Sequence, residues 1–218
     1  MHVVTEVAPF ALGAAVSPLV LMLATLALAS PPSAVAKGWA AVAGNAIMLG
    51  GYTGLFLGLG IKLPKHHGPN AVDAVIYLSF AGALLLLAAR QLSRRGTAGN
   101  SPGLVGKLGG AAPRAFASAG VVIMATNFSS LALYLPGLHM VQRSHAPTVD
   151  QVVAVLLLFT CTLAPALIPV LAATLLGRRA QAPLAAINRA VTSHATDISI
   201  GIELLFVVLL AWKGFGAI

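Results

Sequence analysis

Long apolar runs alternate with short polar breaks along this chain. Six runs are long enough to cross the hydrocarbon of a bilayer, which takes about 20 apolar residues in a helix. They cover about 9–29, 36–61, 71–90, 114–138, 150–176 and 196–213. The pattern predicts an all-α membrane protein of six transmembrane helices. The third run, "AVIYLSFAGALLLLAA", is the cleanest. The fifth carries Pro165 and Pro169, so a kink or break is expected there. The segment after it, "GRRAQAPLAAINRAVTSHATD", has room for a short interfacial helix.

The longest connection, "RQLSRRGTAGNSPGLVGKLGGAAPR", is rich in glycine and basic residues and divides the chain. One membrane domain over 1–218 then has a first half at about 1–92, a basic loop at about 93–113 and a second half at about 114–218. Three spans per half make the second half run opposite to the first, which predicts two inverted three-helix repeats. Weak echoes support this. The third helix opens at Asp73 and closes at Arg90, and the sixth opens at Asp197 and closes at Lys213. The first and fourth each carry a polar break, Ser17-Pro18 and Thr126–Ser130.

Composition agrees with a membrane location. Hydrophobic residues make up 58% of the chain and charged ones 8%, against about 25% charged in soluble domains. The net charge of +8 does not indicate nucleic acid, because the basic residues sit between apolar runs and are not interleaved with aromatics. With the N-terminus outside, the inside loops hold Lys37, Arg90, Arg94, Arg95, Lys107, Arg114, Arg178, Arg179 and Arg189. The outside ones hold Lys62, Lys65, Arg143 and Lys213. The positive-inside rule therefore predicts a multi-pass plasma (inner) membrane protein with both termini outside. The first run is read as a retained helix, since no positive region precedes it and Glu6 is the only formally charged side chain there. The single cysteine, Cys161, can form neither an internal disulfide nor a redox pair and is read as a small core residue.

Candidate chemistry is sparse. Proline at 18 has no N–H and leaves a carbonyl near Gly13 or Ala14 without its helical donor. In lipid such an orphan costs several kcal/mol, so Ser17, a neighbouring helix or water must answer it. The break is expected to face the bundle axis, either as a structural kink or as part of a substrate site. Asn127, Ser129 and Ser130 in the fourth helix, and Asn45 in the second, offer donors and acceptors for the same purpose. For Asn45, helix–helix hydrogen bonding is the favoured role. Glu6, Asp73, Asp150 and Asp197 fall near predicted helix starts and are read as caps. Glu203, inside "ISIGIELLFVVLL", is a functional-site candidate because an intramembrane carboxylate is costly. It can hold or relay a proton, contact substrate, or hydrogen-bond another helix. His66-His67 lies in a predicted outside loop and is a weak metal candidate. His194 and Asp197 fall one turn apart if helical, and His139 and His145 look interfacial. No metal site, cofactor or catalytic residue is nominated, and no enzyme signature is present.

The stretch "ALGAAVSPLVLMLATLALASPPSAVAKGWAAVAGNAIMLG" resembles the N-terminal signature of the GAP family, the glycopeptidolipid- and sulfolipid-addressing proteins of mycobacteria and relatives. "ATNFSSLALYL" is similar to that family's fourth-helix motif, with Asn127-Phe128 where the family has an Asn-Pro-based version. The family is in turn similar to the LysE-type transporter superfamily, six helices in two inverted halves. The resemblance implies an inner-membrane protein that translocates cell-envelope lipid or glycolipid, either itself or as an accessory to a larger lipid-export pump. The expected partners are membrane lipids, a glycolipid substrate, such a pump and a second copy in a homodimer. The alternative is a LysE-type exporter of a small amino acid or other small polar solute, proton-coupled through Glu203. A divalent-cation exporter is disfavoured by the absence of carboxylates at the two breaks, and a thiol-redox protein by the lone cysteine. A non-transporting scaffold would tolerate replacement of Ser17, Asn127 and Glu203. The mechanism expected for a transporter is alternating access or lateral opening between the halves, with Ser17-Pro18, Thr126–Ser130 and Glu203 facing a central cavity.

Overall fold

The computed structural model describes residues 2–58, 71–93, 110–144, 146–180 and 195–216, with positions 184, 186 and 193. Among these residues the fold is all-helical. Eight α-helices follow one another: α1 His2–Ala14, α2 Pro18–Leu28, α3 Ala34–Gly58, α4 Ala71–Ser93, α5 Pro113–Thr126, α6 Phe128–Arg143, α7 Thr148–Leu176 and α8 Ala195–Phe215. A 3₁₀ turn, Gly177–Ala180, follows α7. His66-His67, His145, His194 and most of the segment after that turn lie outside the described residues.

Two single helices, α3 and α7, are long and apolar enough to cross a membrane. The first and fourth runs each divide into two helices, α1/α2 bent by 60° and α5/α6 by 68°. Each bent pair passes the same test as one broken span, which raises the count to four. The apolar stretches of α4 and α8, Tyr77–Arg90 and Ile200–Trp212, are shorter.

Proline position does not by itself locate the breaks. α7 runs as one helix through Pro165 and Pro169, so the expected break of the fifth run does not occur. Proline's fixed φ is helical, and its cost is the missing hydrogen bond and the ring's push on the preceding turn. Here α1, α2, α3 and α6 pack along α7. Ser17, by contrast, takes φ −131° and ψ 96°, the extended conformation preferred before proline.

Side-chain contacts sort the helix ends into two sets. Lys37 lies over the Phe116 ring and Trp39 donates to Thr174 Oγ1, so the starts of α3 and α5 share one end with the close of α7. At the other end Gln142 Nε2 donates to the Phe56 carbonyl, and Tyr77 meets His139 edge-on. α1 and α6 run antiparallel, with Gly13 against Leu133 and Gly137 against Phe10. The start of α1 therefore lies at the second end. Among the described residues, the first end collects Lys37, Arg90, Arg114, Arg178 and Arg179, and the second Arg143 and Lys213. His139 is buried in the core and not interfacial as expected. Glu6 lies in the second turn of α1, too deep to cap it, whereas Asp150 and Asp197 do lie in first turns. Cys161 is partly buried and packs against the main apolar cluster.

The tightest crossing joins α3 to α5. A Cβ on Gly44 would stand 2.0 Å from the Ala117 carbonyl oxygen, and one on Gly120 would stand 2.5 Å from the Ala41 carbonyl oxygen. The sequences "AVAG" (41–44) and "ASAG" (117–120) thus pack reciprocally, glycine of one helix on carbonyl of the other.

Two connections are built alike. Ser30 Oγ donates to the Leu26 carbonyl, and Lys37 Nζ reaches back to the carbonyls of Ser30 (3.1 Å) and Pro31 (3.4 Å). Ser144 Oγ donates to the Val141 carbonyl, and Gln151 Nε2 reaches back to Ser144 (3.2 Å) and Ala146 (3.1 Å). Lys37 had the look of a loop charge. Burial of its stem and these carbonyls make it an internal tie.

Candidate functional site

The two backbone breaks meet inside the bundle. Asn127 Nδ2 donates to Ser17 Oγ at 2.8 Å and to Ser130 Oγ at 2.9 Å. Ser130 Oγ donates to the Ala14 carbonyl at 3.3 Å, and Ser129 Oγ donates to Asn127 Oδ1 at 3.3 Å. Ser17, Asn127 and Ser130 are all buried.

The backbone explains why these side chains are needed. Pro18 opens α2 and offers no N–H to the Ala14 carbonyl. Val16 N turns instead to Gly13, and Leu21 N resumes the helix on Ser17. The Ala14 carbonyl is left over, and a hydroxyl 116 residues away in the chain satisfies it. At the second break Asn127 takes φ −81° and ψ 69° and its N–H closes on Met124. The helix restarts when Leu131 N bonds Asn127. The Ala125 carbonyl is met by Tyr52 OH at 3.4 Å. Each broken span is therefore completed by a hydroxyl from the other half of the chain. The second break forms without proline: Asn127, a residue that readily leaves helical geometry for local hydrogen bonds, supplies it alone.

Electrostatics follow from the same geometry. α2 and α6 both start at this cluster and run to opposite ends. Neither has a side-chain cap on its first N–H groups. Two helix N-termini, each carrying partial positive charge, converge beside a neutral set of hydroxyls and one amide. That arrangement suits an anionic or hydrogen-bond-accepting group better than a cation. On the outer side, Phe128 is 61% exposed next to the buried Asn127, so one residue separates the cluster from the bundle surface.

Ser17, Pro18, Asn127, Ser129 and Ser130 are thus brought together. Asn45 is not among them. It lies buried at the α3–α5 crossing, where Nδ2 donates to Ala41 of its own helix at 2.9 Å and Oδ1 has no hydrogen-bond partner. The interhelical bond expected of it is not made, because the glycine-packed crossing brings backbone, not side-chain donors, against this turn. Glu203 is buried on the inward face of α8 with Ile200, Phe206, Leu210 and Gly214. It stands one turn from Phe206, whose ring packs on Gly13 and Phe10 just before the first break. Tyr52 was not foreseen: a tyrosine in an apolar run shows no partner until the fold places Ala125 beside it. Among the described residues, no three His, Cys, Asp or Glu side chains gather as a metal site.

Ser130→Ala is expected to lower stability by about 1–2 kcal/mol, the cost of an unmet buried carbonyl. Ser129→Ala, at a half-buried position, should cost roughly half as much or less. Unfolding of the detergent-solubilised protein measures both, and equal losses would contradict this placement.

The family model described as "Sap, sulfolipid-1-addressing protein" matches residues 7–216. No curated protein matches the chain. No solved structure matches it either.

Proposed function

The chain belongs to the sulfolipid-1-addressing protein family, and from that premise we propose that it helps move an acidic envelope glycolipid across the inner membrane. The meeting of the two breaks carries this reading. In transporters of repeated design, broken helices converge near the midplane and their half-helix N-termini receive anionic groups of the cargo. A sulfated or otherwise acidic head group would find the N-termini of α2 and α6 there, with Ser17, Asn127 and Ser130 to exchange hydrogen bonds. Phe128 at the surface beside Asn127 favours lateral entry, in which the head group slides in while the acyl chains stay in lipid.

The architecture proposed with it is six spans in two inverted repeats, as in the LysE-type superfamily. α1/α2 would correspond to α5/α6, α3 to α7 and α4 to α8. The helix packing supports this. α3 packs on α5 as α7 packs on α1, and α2 on α3 as α6 on α7; α4 and α8 pack on each other, as do α3 and α7. The symmetry is incomplete: among the described residues, the α2–α7, α1–α6 and α4–α6 contacts are more extensive than their counterparts α6–α3, α5–α2 and α8–α2. The end that collects Lys37, Arg90, Arg114, Arg178 and Arg179 would face the cytoplasm, with both termini outside. The protein would act with membrane lipids and either alone, as a homodimer or beside a larger export pump.

A second reading rests on Glu203. Its burial in α8 suits proton-coupled export of a small amino acid. Proteoliposomes separate the two. A fluorescent sulfated glycolipid and a radiolabelled amino acid would be followed with wild type, Asn127→Ala and Glu203→Gln. Lipid movement that Asn127→Ala slows roughly tenfold, the scale of one or two lost buried hydrogen bonds, fits the glycolipid reading. Amino-acid export alone, lost in Glu203→Gln, would replace it. Movement of neither would place the chain as an accessory subunit.

A further inference from the structure

We infer that the contacts by which Lys37 reaches back to Ser30 and Gln151 to Ser144 are the latches of a matched pair of end gates. Their geometry repeats in two contacts and is similar in a third. In each, a side chain reaches back seven residues to a serine carbonyl: Lys37 to Ser30 and Gln151 to Ser144. In each, the backbone N–H of that same residue bonds the carbonyl four positions earlier, Ser33 or Pro147. In each, the serine hydroxyl turns onto the closing turn of the preceding helix, at Leu26 or Val141. Ser30, Ser33 and Lys37 thus stand where Ser144, Pro147 and Gln151 stand in the other half. The two hairpins lie at opposite ends of the bundle, since α2 and α6 run apart from the central cluster.

The latches differ above all in charge and burial, and that difference gives them a function. Gln151 is neutral and half-buried. Lys37 is an ammonium only 2% exposed, held by two carbonyls and lying 5.7 Å from the centre of the Phe116 ring. A buried cation gives up hydration for such contacts. The same side chain can extend to the interface, where water and acidic head groups would receive it. Leaving would release the Ser30 and Pro31 carbonyls and uncover Phe116 of the other half. The Lys37 latch therefore joins two states of opposed merit, hydrogen-bonded inside or hydrated outside, as a gate requires. Gln151 has no comparable gain from leaving, so its end opens less readily. The gates rest on the two-half reading above, but their test uses no cargo.

In a Cys161→Ser background, Ala27→Cys lies beneath the Lys37 latch and Val141→Cys beneath the Gln151 latch; both positions are buried. Reconstituted protein would be treated with a membrane-impermeant maleimide on both faces. Lys37→Met is expected to speed labelling at 27 about fivefold, the population change that one lost hydrogen bond brings, and not at 141. Lys37→Gln, which copies the other hairpin and has less to gain from leaving, should slow labelling at 27 below wild type. Gln151→Leu should speed labelling at 141 alone. Unchanged labelling at 27 in Lys37→Met, or equal increases at both positions, would overturn the gates. If Lys37→Met does not fold, Gln151→Leu decides, and no increase at 141 overturns them. Gated labelling without lipid movement would instead remove the glycolipid assignment and leave the gates standing.

Discussion

Gly44→Ala is expected to destabilise the folded protein by roughly 3 kcal/mol, at the upper end of overpacking effects. The added methyl would stand 2.0 Å from the Ala117 carbonyl oxygen, 2.8 Å from its carbon and 3.1 Å from its Cα. All three are backbone atoms, so no rotamer change relieves the clash and α5 itself must move. Gly120→Ala should behave similarly, with its methyl 2.5 Å from the Ala41 carbonyl oxygen. Gly51→Ala and Gly54→Ala serve as controls in the same helix as Gly44. Nothing lies within 4 Å of a Cβ at either, and alanine is the better helix former by up to about 1 kcal/mol. Thermal unfolding in detergent should therefore show a large loss for Gly44→Ala and none for Gly54→Ala. Equal effects would mean that α3 and α5 do not cross as described.

The second large effect is expected at Asn127. Asn127→Ala removes both donations, to Ser17 and Ser130, and the acceptor for Ser129. The buried hydroxyls left behind should lower stability by about 2–4 kcal/mol. A double-mutant cycle with Ser17→Ala isolates the contact between halves. Coupling of about 1 kcal/mol is expected, the ordinary scale for residues sharing one network. Asn45→Ala with Ser17→Ala should be additive, since no bond joins them to a common partner. Additivity at Asn127 as well would show that the breaks are not tied together.

Much of the local design was legible in the chain. Pro18 removes a donor from the helix, and that alone located an orphan carbonyl near Ala14 and demanded a partner for it. The polar stretch Thr126–Ser130 in an apolar run likewise marked the second break. What was not legible was the partnership. Ser130 lies 116 residues from Ala14, and no periodicity within either helix relates them. Tyr52 was invisible for the same reason. Lys37 was misread because a basic residue between apolar runs is normally solvated, and only the fold shows the Ser30 and Pro31 carbonyls enclosing it. Pro165 and Pro169 pointed to a kink or a break, and the helix does not break: proline weakens a helix, but neighbours decide whether it breaks.

By itself the sequence determined an all-helical membrane chain, its apolar segments, the orphan carbonyl of the first and the family to which it belongs. These are local or compositional properties: the length of apolar runs, the chemistry of proline and the placement of charge. Tertiary structure alone decided that the two breaks face each other, that hydroxyls of one half complete the backbone of the other, that α7 stays whole, and that Lys37 is a tie and not a loop charge. Each of those depends on which backbone groups of distant segments come within hydrogen-bonding distance. In lipid no water satisfies such groups, so the packing of the helices sets every one of them.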